Sequence, residues 1–397
     1  LCRCGGSLMP NSQRWAAVQS LLHWPDHTSL DIIYAVAMHT KFPGDPLWML
    51  LIGPSSSGKT AIIETFFGHY LARPMDEIST KGFVTGADNK VEYLRTLDQG
   101  LLLIKELTVL LSQSTETAEQ IFAQLRAIYD GTFVKVTGLG IKNITSRFGM
   151  LAGCVPQIDV YTRLNASMGD RFLRVEWPVD RDELIRKSRS NSGHDGMVRQ
   201  MLQHFSHTLL DRSVDMMEQA WLPYVHAALP KSFEMLIDEM ASVMGFLRAG
   251  VMRDRMHKVQ APPSIDGGAR LAKLLTELVR SLLFLYEEPL PSLEVIEALR
   301  RVCYSMIPRV RRGMIDYLLA VDQATVQEIS ASMRIPASTL REDLEDAWMA
   351  GIIDIERASD HNRYRLRPEI RSQLTLTGIP VTLEAANSQN EPDQDGW

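Results

Sequence analysis

The stretch Gly53-Pro54-Ser55-Ser56-Ser57-Gly58-Lys59-Thr60 has residue types and spacing that can do chemistry. It reads G-x-x-x-x-G-K-T, a pattern that cradles phosphate. Gly53 and Gly58 accept backbone angles that other residues resist, so the amides across Ser55, Ser56 and Ser57 turn inward onto phosphate oxygens. A helix starting near Gly58 adds the positive end of its dipole. Lys59 is expected to reach the β and γ phosphates, and the Thr60 hydroxyl to bind Mg2+. A chance Ser/Gly-rich turn would lack the flanking elements seen here. Trp48 to Ile52 is an apolar run predicted as a buried strand, and Ala61, Ile62, Ile63 and Phe66 recur at helical spacing.

A second chemical position follows Leu101 to Ile104, another apolar run that ends in Lys105-Glu106. A carboxylate at such a strand end holds Mg2+ or accepts a proton from water, so Glu106 is a candidate metal ligand or general base, against the alternative of a surface acid. Phe148 to Gly153 predicts a third buried strand, ending in Cys154-Val155-Pro156. Neither Cys154 nor Val155 suits a water-orienting role, and Cys154 reads as a small core residue. Arg171, in Gly169-Asp170-Arg171-Phe172, is a candidate arginine finger acting on a neighbouring subunit, with an ordinary salt bridge as the rival reading. Arg270, at the start of a later helix, is a weaker candidate for reaching the nucleotide. Phe133 to Val136 and Ile141 to Ile144 predict a hairpin across Thr137 to Gly140. Lys135, Lys142 and Arg147 stand there without an acid between Gly131 and Arg147. That excess fits a nucleic-acid backbone or an ordinary solvated hairpin.

The elements that must position these residues fit an α/β chain of 397 residues. Its apolar content of 45% and charged content of 23% are those of a globular protein, and the net charge of −6 excludes a global basic field. Cys2, Cys4, Cys154 and Cys303 do not form a disulfide framework. Cys2-Arg3-Cys4 resembles half a zinc knuckle without its second half, so no metal is assigned to it. Neither a signal peptide nor a long apolar span is visible, so a cytoplasmic protein without a membrane partner is expected. The segment 1–40 predicts two short helices around Pro25, packed as a lid or collar. The strand–loop–helix motif and the other chemical positions fall within 41–180. A helical, Met-rich region occupies 181–308, with helices from Ala269 and over about Ser292 to Met306. Residues 373–397 read as a disordered acidic tail.

The unit 309–372 predicts helices over Met314 to Ala320 and Thr325 to Met333, and a third from Ser338 or Thr339 with Glu342 in a capping box. Ile352 to Glu356 and Arg363 to Leu366 form a two-stranded wing, completing a winged-helix pattern. The third helix sets Arg341 against Glu342, Asp343, Glu345 and Asp346, a balance that phosphates repel. Only the wing is basic, through Arg357, Arg363, Arg365 and Arg367. Wing-only DNA contact and protein packing remain open.

Together these stretches resemble AAA+ ATPases of the hairpin-bearing branch, which includes minichromosome-maintenance and superfamily 3 helicases. They resemble more closely bacterial, mobile-element-type AAA family ATPases, whose second strand ends in Lys-Asp, whose helix ends in Tyr-Asp-Gly and whose third strand ends in Ala-Gly-x-Thr-Pro. Here those stretches are Lys105-Glu106, Tyr129-Asp130-Gly131 and Ala152-Gly153-Cys154-Val155-Pro156. The resemblance covers roughly residues 28–180. It implies a P-loop NTPase (AAA+) three-layer core with helical additions and a C-terminal winged helix. It also implies ATP with Mg2+ at the loop, a homo-oligomeric ring, and DNA unwinding or translocation in replication of a mobile element, with Lys135 and Lys142 on the DNA. Val155 replaces the group's Thr, which favours the alternative of a slow-turnover switch or loader that recruits a protein partner. ATP rather than GTP also rests on this resemblance; the chain has no Asn-Lys-x-Asp stretch.

Overall fold

Trp48–Ile52 (β1), Leu101–Ile104 (β3) and Gly149–Cys154 (β6) are buried along their whole length, as apolar runs without alternation require. They lie in a five-stranded parallel sheet with Ala72–Met75 (β2) and Phe172–Glu176 (β7), in the order β2-β3-β6-β1-β7. β2 carries Arg73 and Pro74 and takes an edge, where a missing N–H is tolerated. This computed structural model describes residues 15–16, 20, 26–77, 82–83, 93–111, 115–137, 140–160, 171–177, 179–218, 228–254, 256–357 and 361–379. The Cys2–Cys4 pair, Ser79 to Lys81 and the tail from residue 380 lie outside them.

Between β3 and β6 the chain forms the predicted hairpin, Thr132–Thr137 (β4) paired with Gly140–Thr145 (β5). A further ribbon pairs Met252–Arg253 (β8) with Val259–Ala261 (β9). The last sheet, Ala324–Thr325 (β10), Ile353–Glu356 (β11) and Arg363–Leu366 (β12), is antiparallel in the order β10-β12-β11.

His27–Met38 (α1) is apolar on nearly every side and accordingly enclosed, with Ser29 through Met38 all buried. It is not a surface lid. It packs against the sheet and against Ala269–Tyr286 (α7) and Leu293–Met306 (α8). Asp31 within it accepts hydrogen bonds from Trp15 Nε1 (2.8 Å) and Tyr286 Oη (2.9 Å), which balances a buried carboxylate. Further helices are Lys59–Glu64 (α2), Thr115–Tyr129 (α3), Arg181–Asn191 (α4), Asp195–Glu218 (α5), Lys231–Leu247 (α6), Arg309–Ala320 (α9), Val326–Met333 (α10), Ala337–Met349 (α11) and Pro368–Thr377 (α12), beside the single turns Tyr93–Thr96 and Thr108–Leu111. α3 buries Ala118, Ile121, Phe122, Leu125, Ile128 and Tyr129, which recur at helical spacing on one face.

The C-terminal helices differ from expectation in one detail. The capping box is formed by Thr325 and Glu328 at α10, whereas α11 begins at Ala337 after Pro336 and has no side-chain cap. Pro336 sets the entry angle, so Thr339 falls inside the helix and Glu342 is released to reach His257.

His39 follows α1 and ties it to its surroundings. Its ring nitrogens meet Ser281 Oγ of α7 at 2.9 Å and the Asp45 carbonyl at 2.8 Å. Burial, and then the Arg147 guanidinium, push its pKa down to about 3. The folded chain keeps this ring neutral where the unfolded chain takes up a proton, so its contribution is complete above about pH 6.5 and is lost as pH falls toward 3. The melting temperature should therefore decline from about pH 6.5 to about pH 4, and less steeply in His39→Gln. Equal slopes in the two proteins would refute this assignment.

Candidate functional site

The phosphate-type loop leaves β1 at its carboxyl end. β1 lies between β6 and β7: the chain leaves it past β6 and β3 to reach β2 and later passes it again to reach β7, and such switch points open a crevice for ligands. Gly53 N–H donates to the Cys154 carbonyl at 3.1 Å, which joins the loop to the end of β6. Ser56 (φ 60°) and Gly58 (φ 91°) are left-handed, the alternation that makes a concave nest of amides. α2 is only six residues long, so these loop amides rather than a long helix dipole supply the positive field. Ser55, Ser56 and Thr60 are exposed, while Ser57 and Lys59 are buried.

Lys59 turns back into its own loop. Its Nζ donates to the carbonyls of Gly53 (2.8 Å) and Pro54 (2.7 Å), with Ser57 Oγ at 3.4 Å. Burial lowers its pKa, and the nearby Glu106 carboxylate opposes that shift. The ammonium is thus satisfied by dipoles, and among the described residues it has no ion-pair partner. A buried cation hydrogen-bonded to neutral dipoles, with a carboxylate near but not paired to it, is a fitting host for an anion.

Glu106 stands half-buried between the ends of β3 and β6. Its Oε1 accepts from Thr108 N–H at 3.1 Å, and the Thr108 hydroxyl accepts from Val155 N–H at 3.2 Å. Leu107 N–H donates to the Gly153 carbonyl at 2.7 Å. The closeness of the two strand ends requires a glycine: a Cβ on Gly153 would lie 2.4 Å from the Lys105 carbonyl. Lys105 itself turns to Asp76 at the end of β2, at 2.9 Å. The Cys154 thiol is pushed up to about 12 by burial, which suits a core residue and not a nucleophile.

Sequence reasoning missed the other wall of the crevice. A cavity of about 260 Å³ is lined by Ser56 to Ala61 on one side and by Leu184, Lys187, Ser188, Asn191 and Asp195 on the other. Leu184, Lys187, Ser188 and Asn191 recur at i, i+3, i+4 and i+7 of α4, one helix face. That stripe is visible in the sequence, but its polarity makes it read as solvated surface. Trp177, just after β7, was missed as well. Its Nε1 donates to the Ser57 carbonyl at 2.8 Å, and its Cβ lies 3.2 Å from where a Cβ on Gly53 would be.

Arg171 lies elsewhere. β1 and β7 run parallel with Trp48 opposite Phe172, so Arg171 sits at the amino-terminal edge of the sheet. Five residues at ~3.3 Å each separate it from the loop by about 17 Å. Its Nη2 donates to both Asp130 carboxylate oxygens, at 3.1 and 2.8 Å, and its guanidinium lies 5.7 Å from the Tyr129 ring centre. The salt-bridge reading of Arg171 is therefore the one realised within the chain. Arg270 approaches the same Asp130 at 3.9 Å, so the expectation that it reaches its own chain's loop does not hold.

Lys135 and Lys142 are cross-strand partners and share one face of the ribbon with Phe133 and Ile144. The opposite face exposes Val134, Val136 and Ile141. The acids of α11 are engaged within the chain: Arg253 of β8 binds Glu345 (2.8 Å) and Asp346, and His257 meets Glu342 at 3.2 Å. On the wing, Asp354 pairs with Arg367 at 3.1 Å and faces Arg365 at 3.9 Å.

Thr60 and Glu106 offer the oxygen donors that Mg2+ prefers, and phosphate oxygens and water would complete its shell. Among the described residues, no group of three or more His, Cys, Asp or Glu side chains could hold a metal by itself, and no helix is long and apolar enough to cross a membrane. Comparison of the chain with protein-family models and with curated proteins finds no match.

Gly153→Ala should force β6 away from Lys105-Glu106 and destabilise the fold by about 1–3 kcal/mol, the usual cost of overpacking. A chemical-denaturation midpoint equal to the wild type's would contradict this close approach.

Proposed function

We propose that the chain is an ATP-binding AAA+ ATPase that hydrolyses ATP to drive DNA unwinding or translocation in replication of a mobile element. The observation that carries the reading is Lys59: a buried ammonium hydrogen-bonded to loop carbonyls and in no ion pair among the described residues, inside a nest of amides, at the switch point of a parallel sheet. Lys59 and the loop amides hold the phosphates, and the Thr60 hydroxyl serves Mg2+. Glu106, at the end of β3, accepts the proton of the attacking water. The helix–ribbon–strand succession of α3, β4–β5 and β6 supports the hairpin-bearing branch, with Lys135 and Lys142 on the nucleic-acid backbone. Three helices and a small antiparallel sheet at the C-terminus support a winged helix.

Arg171 and Lys59 lie at opposite edges of the sheet. In a homo-oligomeric ring, the edge bearing Arg171 faces the loop of the next subunit, and Asp130 must release the guanidinium for it to act there.

A second reading is a slow-turnover ATP-dependent switch or loader. Two observations favour it: Arg171 is engaged by Asp130, and Val155 has no polar group to orient water. Recruitment of a partner through the acids of α11 is the less supported part, because Arg253 and His257 already cover them.

The test is an ATPase assay with and without single-stranded DNA, run beside a sizing measurement with nucleotide. The motor reading expects DNA-stimulated turnover and nucleotide-dependent assembly; slow, unstimulated turnover supports the switch. Lys59→Ala should abolish nucleotide retention. Glu106→Gln should retain ATP and lose turnover by about 100-fold or more. Unaltered hydrolysis in Glu106→Gln would remove the base from this scheme.

A further inference from the structure

Trp177 sits beside the crevice without lining it, and its contacts are made with the loop's backbone. It is buried, its own N–H donates to the Ile52 carbonyl at 2.7 Å, and its indole Nε1–H donates to the Ser57 carbonyl at 2.8 Å. The first bond fixes the residue to the end of β1. The second fixes the peptide unit between Ser57 and Gly58. Cis peptide bonds are absent among the described residues, and in a trans peptide unit the C=O and N–H point in opposite directions. Drawing the Ser57 carbonyl onto the indole therefore turns the Gly58 N–H away from Trp177. Gly58 and Lys59 line the cavity with α4, whereas Trp177 does not.

Neighbouring contacts point the same way. A side chain at Gly53 would crowd Ser57 Oγ, Trp177 Cβ and the Trp177 carbonyl, at 3.1, 3.2 and 3.3 Å. The Gly58 φ of 91° lets the chain turn directly after the anchored carbonyl. Without the indole N–H, the buried Ser57 carbonyl would lose its partner, and the peptide could rotate and present an oxygen, not an amide, to the phosphates.

We infer that Trp177 is a positioning residue that orients the Gly58 amide of the loop toward the phosphates of the bound nucleotide. This rests on the phosphate-loop reading of Gly53 to Thr60. The indole touches neither phosphate nor metal; it acts through one peptide unit.

The experiment measures the dissociation constants of Mg·ATP and of inorganic tripolyphosphate for three full-length proteins. These are the wild type, Trp177→Phe, and a protein carrying 3-benzothienylalanine at position 177. The last keeps the bicyclic shape and has sulfur in place of the N–H. Both replacements should weaken both ligands by about tenfold, the change expected from misdirecting one amide bonded to a charged group. Circular dichroism and a cooperative melt should show that both stay folded. An equal loss for tripolyphosphate ties the effect to the phosphates, which a general loosening of the nucleoside pocket would not produce. Wild-type affinity in the benzothienylalanine protein would overturn the inference, even if Trp177→Phe is impaired, because the ring's bulk would then be what matters. Failure of the wild type to retain either ligand would instead overturn the phosphate-loop reading, and this inference with it.

Discussion

Parallel strands buried along their length offer no face to a ligand, so chemistry is confined to the two edges where the strands begin and end. β1, β3 and β6 are apolar throughout and flanked by helices. At their carboxyl ends stand Lys59, Glu106 and the crossing of Gly153 beneath Lys105. At the amino-terminal edge stand Arg171, Asp130 and Arg270. The sheet holds the two groups of charges apart, and no side chain of one can reach the other. An arginine of one edge can meet the loop of the other only between two copies of the chain, which is what the proposed assembly requires.

The charges at each edge are managed differently. At the loop, Lys59 is stabilised by carbonyl dipoles, which hold an ammonium without cancelling its charge. At the other edge, one carboxylate, Asp130, gathers two guanidinium groups from distant parts of the chain. In the C-terminal unit the acids of α11 meet Arg253 and His257 of the β8–β9 ribbon. A helix whose sequence suggests repulsion of phosphate is in the fold a docking surface for its own chain.

Elements with a strong local signal were legible in the sequence. The bounds of β1 and β3 follow from uninterrupted apolar runs, α3 from its repeating buried face, and the β4–β5 ribbon from alternating residues around a glycine turn. β2 was not legible, since Arg73 and Pro74 argue against a strand and only its place at an edge tolerates them. The loop could be read because its pattern is contiguous. The residues that complete the site are not contiguous with it: Trp177 lies 117 positions beyond Thr60 and contributes one N–H, and the α4 stripe looks like any solvated helix face. The enclosure of α1 was missed for a related reason. An apolar helix at the start of a chain gives no sign of how many neighbours will surround it.

Residues 176 and 177 are adjacent at the end of β7, yet their side chains bond to different parts of the molecule. The indole of Trp177 grips the loop, while the carboxylate of Glu176 is bound by Arg309 and Arg312 of α9, the first helix of the C-terminal unit, and its N–H donates to Ser305 of α8. Burial pushes the Glu176 carboxyl up, but the Arg312 and Arg309 guanidinium groups outweigh it and hold the carboxyl below the usual carboxylate range, so it stays charged. A single dipeptide thus bonds the loop on one side and α8 and α9 on the other, so the crevice and the terminal unit share one strand end.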